Sequence, residues 1–255
     1  MTLVSYPLLV LALSFVTLWL SALLGALVLK RYSAFDGGSR EEFGLIVGAT
    51  LTLLGLLIGF SFSMAISRYE RRTLYEEAEA NAIGTEYLRA ELLPAADAAR
   101  VRALLAEYLD QRVAFYTIRE RQQLRQLDAY TAQLQDRLWS AIRTPVTSQP
   151  SPPILALVIS GMNDVLNSQG NTQAAWSNHI PFAAWILMSA IAFFSNLLVG
   201  YGARPVRTKP YLLMVLPLVV SVAFYLIADL DSPRSGIIGV QPQNLLGLSQ
   251  SLRAR

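Results

Sequence analysis

GFSFSMAISRYERR, the stretch at residues 59–72, begins as membrane sequence and ends as charged sequence with no proline in between. The apolar run that leads into it, residues 43–66, has the length of a helix that crosses a bilayer. No proline follows until Pro94, so this helix is predicted to continue into water as one rod. A rod of about 50 residues at about 1.5 Å per residue would be about 75 Å long. A local break near Ser67 is the alternative that the sequence leaves open.

The composition is that of a membrane protein. Of the 255 residues, 53% are hydrophobic and only 15% are charged, whereas about 25% are charged in an ordinary soluble domain. The formal net charge of +3 is too small to indicate a nucleic-acid partner, and none is predicted. The absence of cysteine excludes disulfides and metal sites built on thiolates.

Four apolar segments are long enough to span a bilayer, which takes about 20 apolar residues in a helix. They cover residues 3–29, 43–66, 181–201 and 211–228. The first has no charge and no basic leader, and its apolar core is too long for a cleaved signal peptide. It is therefore kept as a span. Pro217 lies inside the fourth segment and is predicted to kink that helix.

The region between the second and third spans is predicted to be helical. Its first helix should end at Pro94 and has an apolar face that consists of Leu74, Ala78, Thr85, Leu88 and Leu92. Three further amphipathic helices are predicted around residues 101–109, 124–142 and 154–166. A loop with four prolines is predicted at residues 145–153.

The predicted fold class is an all-α integral membrane protein with four transmembrane helices and a helical soluble domain. A first hairpin of spans occupies residues 1–66, the soluble domain residues 67–180, a second hairpin residues 181–228 and a C-terminal tail residues 229–255. Four spans place both termini and the soluble domain on one side of the membrane.

Small residues recur at intervals of four along the second span, a spacing that lets helices approach closely. The predicted packing positions are Gly44, Gly48, Gly55, Gly59 and Ser63. Another face of this span carries Thr52, Leu56 and Phe60, which are also four apart. Such a column can face lipid, another helix or a pore axis, and spacing alone favours lipid or packing over a pore.

Enzyme signatures are absent from the sequence, which has no glycine-rich phosphate loop, nucleophile elbow or paired-histidine motif. No catalytic residue, cofactor or metal site is predicted. The single histidine, His179, is interpreted as an interfacial residue. Asp229 and Asp231 are interpreted as solvated anchors at the end of the fourth span, with cation binding as the alternative. A solvated helix face is the interpretation of the acidic run Glu76, Glu77 and Glu79.

The opening stretch resembles a motif of bestrophin channels. In those proteins a Gly-Phe pair in the second membrane segment precedes an arginine and an aromatic residue at the spacing found here between Gly59-Phe60 and Arg68-Tyr69. Two further segments, NAIGTEYLRAELLP at residues 81–94 and IADLDSPRSG at residues 227–236, resemble motifs of the bacterial bestrophin-like membrane proteins. The order of spans around a helical middle region is similar as well.

The resemblance implies an ion channel built from several copies of the chain, with a pentamer expected. Its second spans would line a narrow neck formed by Thr52, Leu56 and Phe60, and Arg68 would lie at the membrane boundary. A ring of apolar side chains gates by dewetting, and the partly positive edges of Phe60 rings would favour anions. Thr52 is polar where the neck of the family is usually apolar. The region after the last span has few acidic residues, so calcium gating is not predicted.

Orientation and function each have an alternative. The short loops carry six basic residues and the other side four, so the positive-inside rule favours an external soluble domain. The resemblance implies the reverse, a cytoplasmic soluble domain on an inner-membrane protein, and this is the orientation predicted. The six residues are Lys30, Arg31, Arg40, Arg204, Arg207 and Lys209. The alternative function is a non-conducting scaffold whose helical domain binds a partner; a membrane enzyme is a distant third.

Overall fold

The computed structural model describes residues 6–29, 39–148, 152–203 and 211–254, and these residues form helices joined by short connections, without a strand. The α-helices are α1 (Pro7–Leu24), α2 (Ser39–Arg89), α3 (Ala95–Thr117), α4 (Arg121–Ser148), α5 (Pro152–Ser177), α6 (Phe182–Gly202), α7 (Leu212–Asp231) and α8 (Gln243–Arg253). A π-helical turn, Gly25–Leu29, extends α1, and a 3-10 turn, Ala90–Leu92, follows α2.

The predicted fold class is confirmed. Among the described residues, four helical stretches are long and apolar enough to cross a membrane, and they contain α1, α2, α6 and α7. The helix that begins in the second span, α2, is continuous over 51 residues, so it has no break near Ser67. It stops before Pro94, as predicted, because a proline disfavours helical geometry in the residue before it.

The proline-rich loop is shorter than predicted. Residues 145–148 belong to α4, and α5 already begins at Pro152, so only residues 149–151 remain between them and lie outside the described ranges. A proline this near the end of a helix removes a single backbone hydrogen bond. A proline at the first position of a helix removes none, because that N–H has no partner within the helix.

The chain divides into two compact units. The membrane unit comprises residues 1–69 and 179–239, and the helical unit comprises residues 70–178 and 240–255. The continuous helix α2 contributes residues to each. The region predicted as one C-terminal tail is divided at residue 239, because α8 belongs to the helical unit.

In the membrane unit, α1 packs against α6 and α7. Two glycines allow the close approach of α1 and α6. A Cβ added to Gly200 would overlap the backbone oxygen of Ala22 and lie 2.7 Å from its carbonyl carbon. A Cβ added to Gly25 would lie 2.9 Å from the backbone nitrogen of Tyr201. Ser21 Oγ also donates a hydrogen bond of 2.7 Å to the backbone oxygen of Phe193.

In the helical unit, α3 packs against α4 and α8, and α4 against α5. Apolar side chains fill its core, among them Val101, Leu105, Leu109, Leu134, Leu138, Met162 and Val165. Their spacing of three or four residues is the one that puts side chains on a single face of a helix. The helices predicted from this periodicity are therefore present as α3, α4 and α5.

The orientation of α2 in the helical unit is opposite to the one its apolar pattern suggests. Its predicted apolar face is exposed, including Leu74, Leu88 and Leu92. The buried face instead carries four charged residues, Arg72, Glu76, Glu79 and Glu86, each at most 1% exposed. The interpretation of Glu76 and Glu79 as a solvated face is therefore wrong, and only Glu77 of that run is exposed. The charges are buried because each of the first three has partners, described below.

Candidate functional site

The membrane part of α2 is the least covered span of the chain. Of residues 43–66, only Leu54, Ser61 and Ala65 are buried. Leu54 and Ala65 belong to the core of the membrane unit. Thr52, Leu56 and Phe60 lie on the exposed side, and the side chains of Leu56 and Phe60 are 53% and 60% exposed. Within the described part of the chain, nothing covers this column.

The polar group of Thr52 is satisfied within α2. Its hydroxyl donates a hydrogen bond of 2.9 Å to the backbone oxygen of Gly48. A threonine bonded in this way turns its hydroxyl towards the helix backbone. The polarity that Thr52 adds to this face of α2 is therefore smaller than its residue type suggests.

The predicted packing glycines of α2 make no close contact with the other helices that the structure describes. A Cβ added to Gly44, Gly48, Gly55 or Gly59 would have no atom of another element within 4 Å. Ser63 is exposed on the same helix. A contact between copies of the chain stays a prediction for these positions. The close backbone contacts between α1 and α6 are made at Gly25 and Gly200, which the four-residue spacing did not indicate.

The second pair of the motif marks the end of the membrane unit on α2. Tyr69 is partly buried and packs against the core of this unit, together with Phe62 and Ile66. Arg68 is half-buried beside it. The aromatic ring thus fixes the point where α2 leaves the apolar core.

Asp231 organises the chain just before α6. Its carboxylate oxygens accept hydrogen bonds of 3.1 and 3.0 Å from the backbone N–H of Ile180. His179 Nδ1 lies 2.9 Å from the backbone oxygen of Asp231. Because a carbonyl oxygen can only accept a hydrogen bond, Nδ1 is the protonated nitrogen and acts as the donor. Asp231 is only 2% exposed. It ties the end of α7 to the residue before the start of α6 and is not a solvated anchor.

Asp229 is buried too, at 1% exposure. Its Oδ1 accepts from the backbone N–H of Ile237 at 2.7 Å, and its Oδ2 accepts from that of Ile238 at 2.8 Å. A Cβ added to Gly236 would lie 2.6 Å from the backbone oxygen of Asp229, so this turn requires glycine. The interpretation of both aspartates as solvated is wrong, because their partners are backbone N–H groups. The described residues contain no group of three or more metal-ligating side chains.

Asp229→Ala is expected to destabilise the membrane unit by about 1–3 kcal/mol, because two backbone N–H groups lose their acceptor. Asp229→Asn keeps one acceptor oxygen and should lie between the alanine variant and the wild type. The midpoints of thermal unfolding of the purified protein in detergent measure the order. An alanine variant as stable as the wild type would show that the carboxylate does not hold this turn.

An ion pair lies at the centre of the helical unit. Arg112 Nε donates a short hydrogen bond to Glu79, and both side chains are fully buried. Glu79 Oε2 also accepts from the hydroxyl groups of Thr172 at 3.2 Å and Tyr116 at 3.4 Å. Burial and the nearby Glu79 raise the pKa of Tyr116, so its phenol stays neutral and donates. Burial alone would lower the pKa of Arg112, but the charge of Glu79 raises it.

Two further buried charges of α2 hold backbone groups of other helices. Arg72 donates to the backbone oxygens of Ala175 and Asn178, at 3.2 Å each, at the end of α5, where a cation is favoured. Glu76 accepts from the backbone N–H of Leu245 at 2.9 Å and from Asn244 Nδ2 at 2.6 Å. Leu245 N–H is one of the free donors in the first turn of α8. Arg72 and Glu76 thus bind α2 to the end of α5 and the start of α8, and neither side chain is exposed to a ligand.

Comparison with known proteins gives one family and one fold. The model of the bestrophin-like domain matches residues 16–245. A crystal structure of a single-substitution variant of a bacterial bestrophin homolog from Klebsiella pneumoniae is similar, with a TM-score of 0.68, 14% identity, and 96% of this chain and 98% of that chain covered. A second crystal structure of that homolog, phased on zinc, has a TM-score of 0.62 and 14% identity, over 95% and 98% of the two chains. No curated protein matches.

Proposed function

The chain belongs to the bestrophin-like family, and from this premise we propose that it forms a homo-oligomeric ion channel whose conducting path is lined by α2. The channel would pass ions passively, with anions favoured. A pentamer is the assembly proposed. The partners are then further copies of the chain, the lipid bilayer and small inorganic ions.

The exposure of α2 is the observation that carries this proposal. Only 6% of its most apolar stretch is buried inside the chain, against 28–44% for the other three candidate spans. In an oligomer, such a helix can face the central axis. Its exposed glycines leave room for a neighbouring copy. An arrangement of this kind would bring Leu56 and Phe60 of each copy together around the axis.

The side chains of the proposed neck would let ions pass only over a high free-energy barrier. Leu56 and Phe60 offer no ligand to an ion, so a narrow ring of them would close by dewetting. A phenyl ring that turns its edge inward presents partial positive charge, which is attractive to anions. The Thr52 hydroxyl is bonded to Gly48 and adds little polarity. The proposed anion preference therefore depends on Phe60.

We further propose that the helical unit faces the cytoplasm from the inner membrane. The basic loop residues that argue for the reverse are few. Lys30, Arg31, Arg204, Arg207 and Lys209, and the side chain of Arg40, lie outside the described part of the structure. The orientation can be tested with Leu74→Cys, which places a single cysteine at an exposed position, and a thiol reagent that does not cross the membrane. Intact spheroplasts should not be labelled. Labelling of intact spheroplasts would show that the helical unit faces outward.

A non-conducting scaffold is the alternative function. Three exposed leucines favour it, Leu74 and Leu88 on α2 and Leu92 in the 3-10 turn after it, because an apolar face of this kind suits a protein partner. The purified protein in a planar bilayer under a KCl gradient separates the two functions. A current that reverses near the chloride potential supports the anion channel, and one near the potassium potential supports a cation channel. Silence of folded, inserted protein favours the scaffold.

Leu56→Ala and Phe60→Ala are each expected to raise single-channel conductance, because a smaller side chain widens the neck and weakens dewetting. Phe60→Ala should also reduce the preference for anions. Phe194→Ala is the matched control, since Phe194 is 58% exposed on a different span, α6. Recordings in planar bilayers measure all three. Unchanged conductance in both α2 variants of a conducting protein would remove these residues from the neck.

A further inference from the structure

Among the residues that the structure describes, Glu86 is the one buried charge of α2 in the helical unit without a hydrogen-bond partner. Its side chain is fully buried, and neither carboxyl oxygen has a hydrogen-bond partner within the described residues. Arg72, Glu76 and Glu79 on the same helix face each have partners. A buried carboxylate without a partner is costly, so the group is favoured in its neutral form.

The position of Glu86 is set by Gly161 on α5. A Cβ added to Gly161 would overlap Oε2 of Glu86 and lie 2.5 Å from Nη1 of Arg89. The carboxyl group and the Arg89 guanidinium therefore converge on one glycine surface. They belong to the same helix, and residues three apart on a helix are neighbours. Arg89 is placed to pair with the carboxylate once that group ionises.

The charges around Glu86 are arranged for a proton equilibrium at mildly alkaline pH. Burial raises the pKa of Glu86 from 4.5 to about 8; Arg89 on α2 acts to lower it, and Asp164 on α5 acts to raise it. Glu86 lies beyond the apolar part of α2, since nine charged residues occur from Arg68 to Arg89. It is thus in a water-facing unit where protons can reach it on local opening.

We propose that Glu86 is a proton-controlled switch of α2: it is a neutral acid packed on Gly161 at neutral pH, and at alkaline pH it loses the proton and pairs with Arg89. The pairing would join Arg89, the last residue of α2, to a carboxylate that lies on the same glycine surface. Glu86 and Arg89 belong to the same continuous helix as Leu56 and Phe60. Conductance of the channel would therefore depend on pH, a consequence that rests on the proposed function.

Infrared spectroscopy of the purified protein tests the switch without any need for current. The carbonyl band of a protonated carboxyl group should disappear as the pH rises through about 8 in the wild type, and should be missing in Glu86→Gln. Glu77→Gln is the matched control, because Glu77 is exposed on the same helix, and it should keep the band. A band that does not titrate, or that persists in Glu86→Gln, would overturn the proposal.

Replacement of the two neighbouring charges should shift the midpoint of the infrared titration in opposite directions. Arg89→Gln should shift the midpoint of the infrared titration upward, because it removes the charge that favours the carboxylate. Asp164→Asn should shift the midpoint downward, because it removes a repelling charge, and Asp164 is exposed enough to be replaced. Equal midpoints in both variants and the wild type would show that Glu86 does not sense these groups and would contradict the switch.

Thermal unfolding measures how the protonation of Glu86 affects the stability of the fold. The neutral acid stabilises the fold fully below the ordinary pKa of 4.5, and this contribution is lost as the pH rises through about 8. The unfolding temperature of the wild type should therefore fall relative to that of Glu86→Gln over this range. Parallel profiles would overturn the proposal.

Current recordings then separate this inference from the proposed function. Wild-type current should change as the pH passes about 8, and Glu86→Gln current should not. A channel whose pH response is unaltered in Glu86→Gln would refute the control of conductance by Glu86. Silence of every variant would refute the proposed function, while the infrared titration would still decide whether Glu86 binds the proton.

Discussion

Arg112→Met is expected to destabilise the helical unit by about 3–5 kcal/mol, because it leaves the buried carboxylate of Glu79 without its charged partner. The structure places both side chains at 0% exposure, so water cannot replace the lost contact. Glu79 would keep only the hydroxyl groups of Thr172 and Tyr116, at 3.2 and 3.4 Å. The midpoint of thermal unfolding of the purified protein in detergent measures the loss.

An exposed ion pair provides the control for Arg112→Met. Arg102 lies 2.9 Å from Glu91, with side chains 36% and 52% exposed. Pairs of this kind contribute about 0–1 kcal/mol, so Arg102→Met should have little effect. The double replacement Arg112→Met with Glu79→Met should be less damaging than the sum of the single variants, because no charge then remains buried. Equal losses at the buried and exposed pairs would contradict this account.

Gly200→Ala is expected to damage the membrane unit at a cost at or above about 3 kcal/mol, the upper end for overpacked sites. The added methyl group would overlap the backbone oxygen of Ala22 and lie 3.0 Å from its Cα. Backbone in a helix cannot turn aside as a flexible side chain does, so α1 and α6 would have to separate. A lower unfolding temperature and a smaller yield of monodisperse protein are the expected results.

Gly48→Ala is the matched control for Gly200→Ala. A Cβ at Gly48 meets nothing within 4 Å, so the fold of one chain should be unaffected. Any effect of this variant should appear in the size of the oligomer, because Gly48 lies on the exposed face of α2. Gly200→Ala behaving like Gly48→Ala would show that α1 and α6 do not pack as closely as described.

The membrane part of the fold could be predicted from the sequence because length and hydropathy suffice for it. An apolar run of about 20 residues has few other structures open to it. The continuity of α2 through Ser67 could be predicted because no proline interrupts it. The motif Gly59-Phe60 and Arg68-Tyr69 pointed to the family that the comparison then showed.

The buried charges could not be predicted because their partners are distant in sequence. Glu76 binds Asn244, which lies 168 residues away, and Glu79 binds Arg112, which lies 33 residues away. A charged stripe and an apolar stripe on one helix do not reveal which of them is inside. The same holds for Asp229 and Asp231, whose carboxylate oxygens accept hydrogen bonds from backbone N–H groups outside the helices.

The close contact of α1 and α6 was missed for a related reason. Gly25 and Gly200 lie on different spans, so no spacing within one helix connects them. The glycines that do repeat, on α2, face away from every described element of the chain. Regular spacing shows that one face of a helix carries small residues. Whether that face packs closely depends on a partner helix, which the spacing does not identify.

The central claim, that α2 lines an ion path, is tested most directly by thiol modification in planar bilayers. The chain has no cysteine, so Phe60→Cys gives a single reactive site without further changes. A charged methanethiosulfonate reagent should reduce the current of Phe60→Cys and leave that of Phe194→Cys, the control exposed on α6, unchanged. Undiminished current through Phe60→Cys, with modification of the thiol shown by mass spectrometry, would contradict the claim.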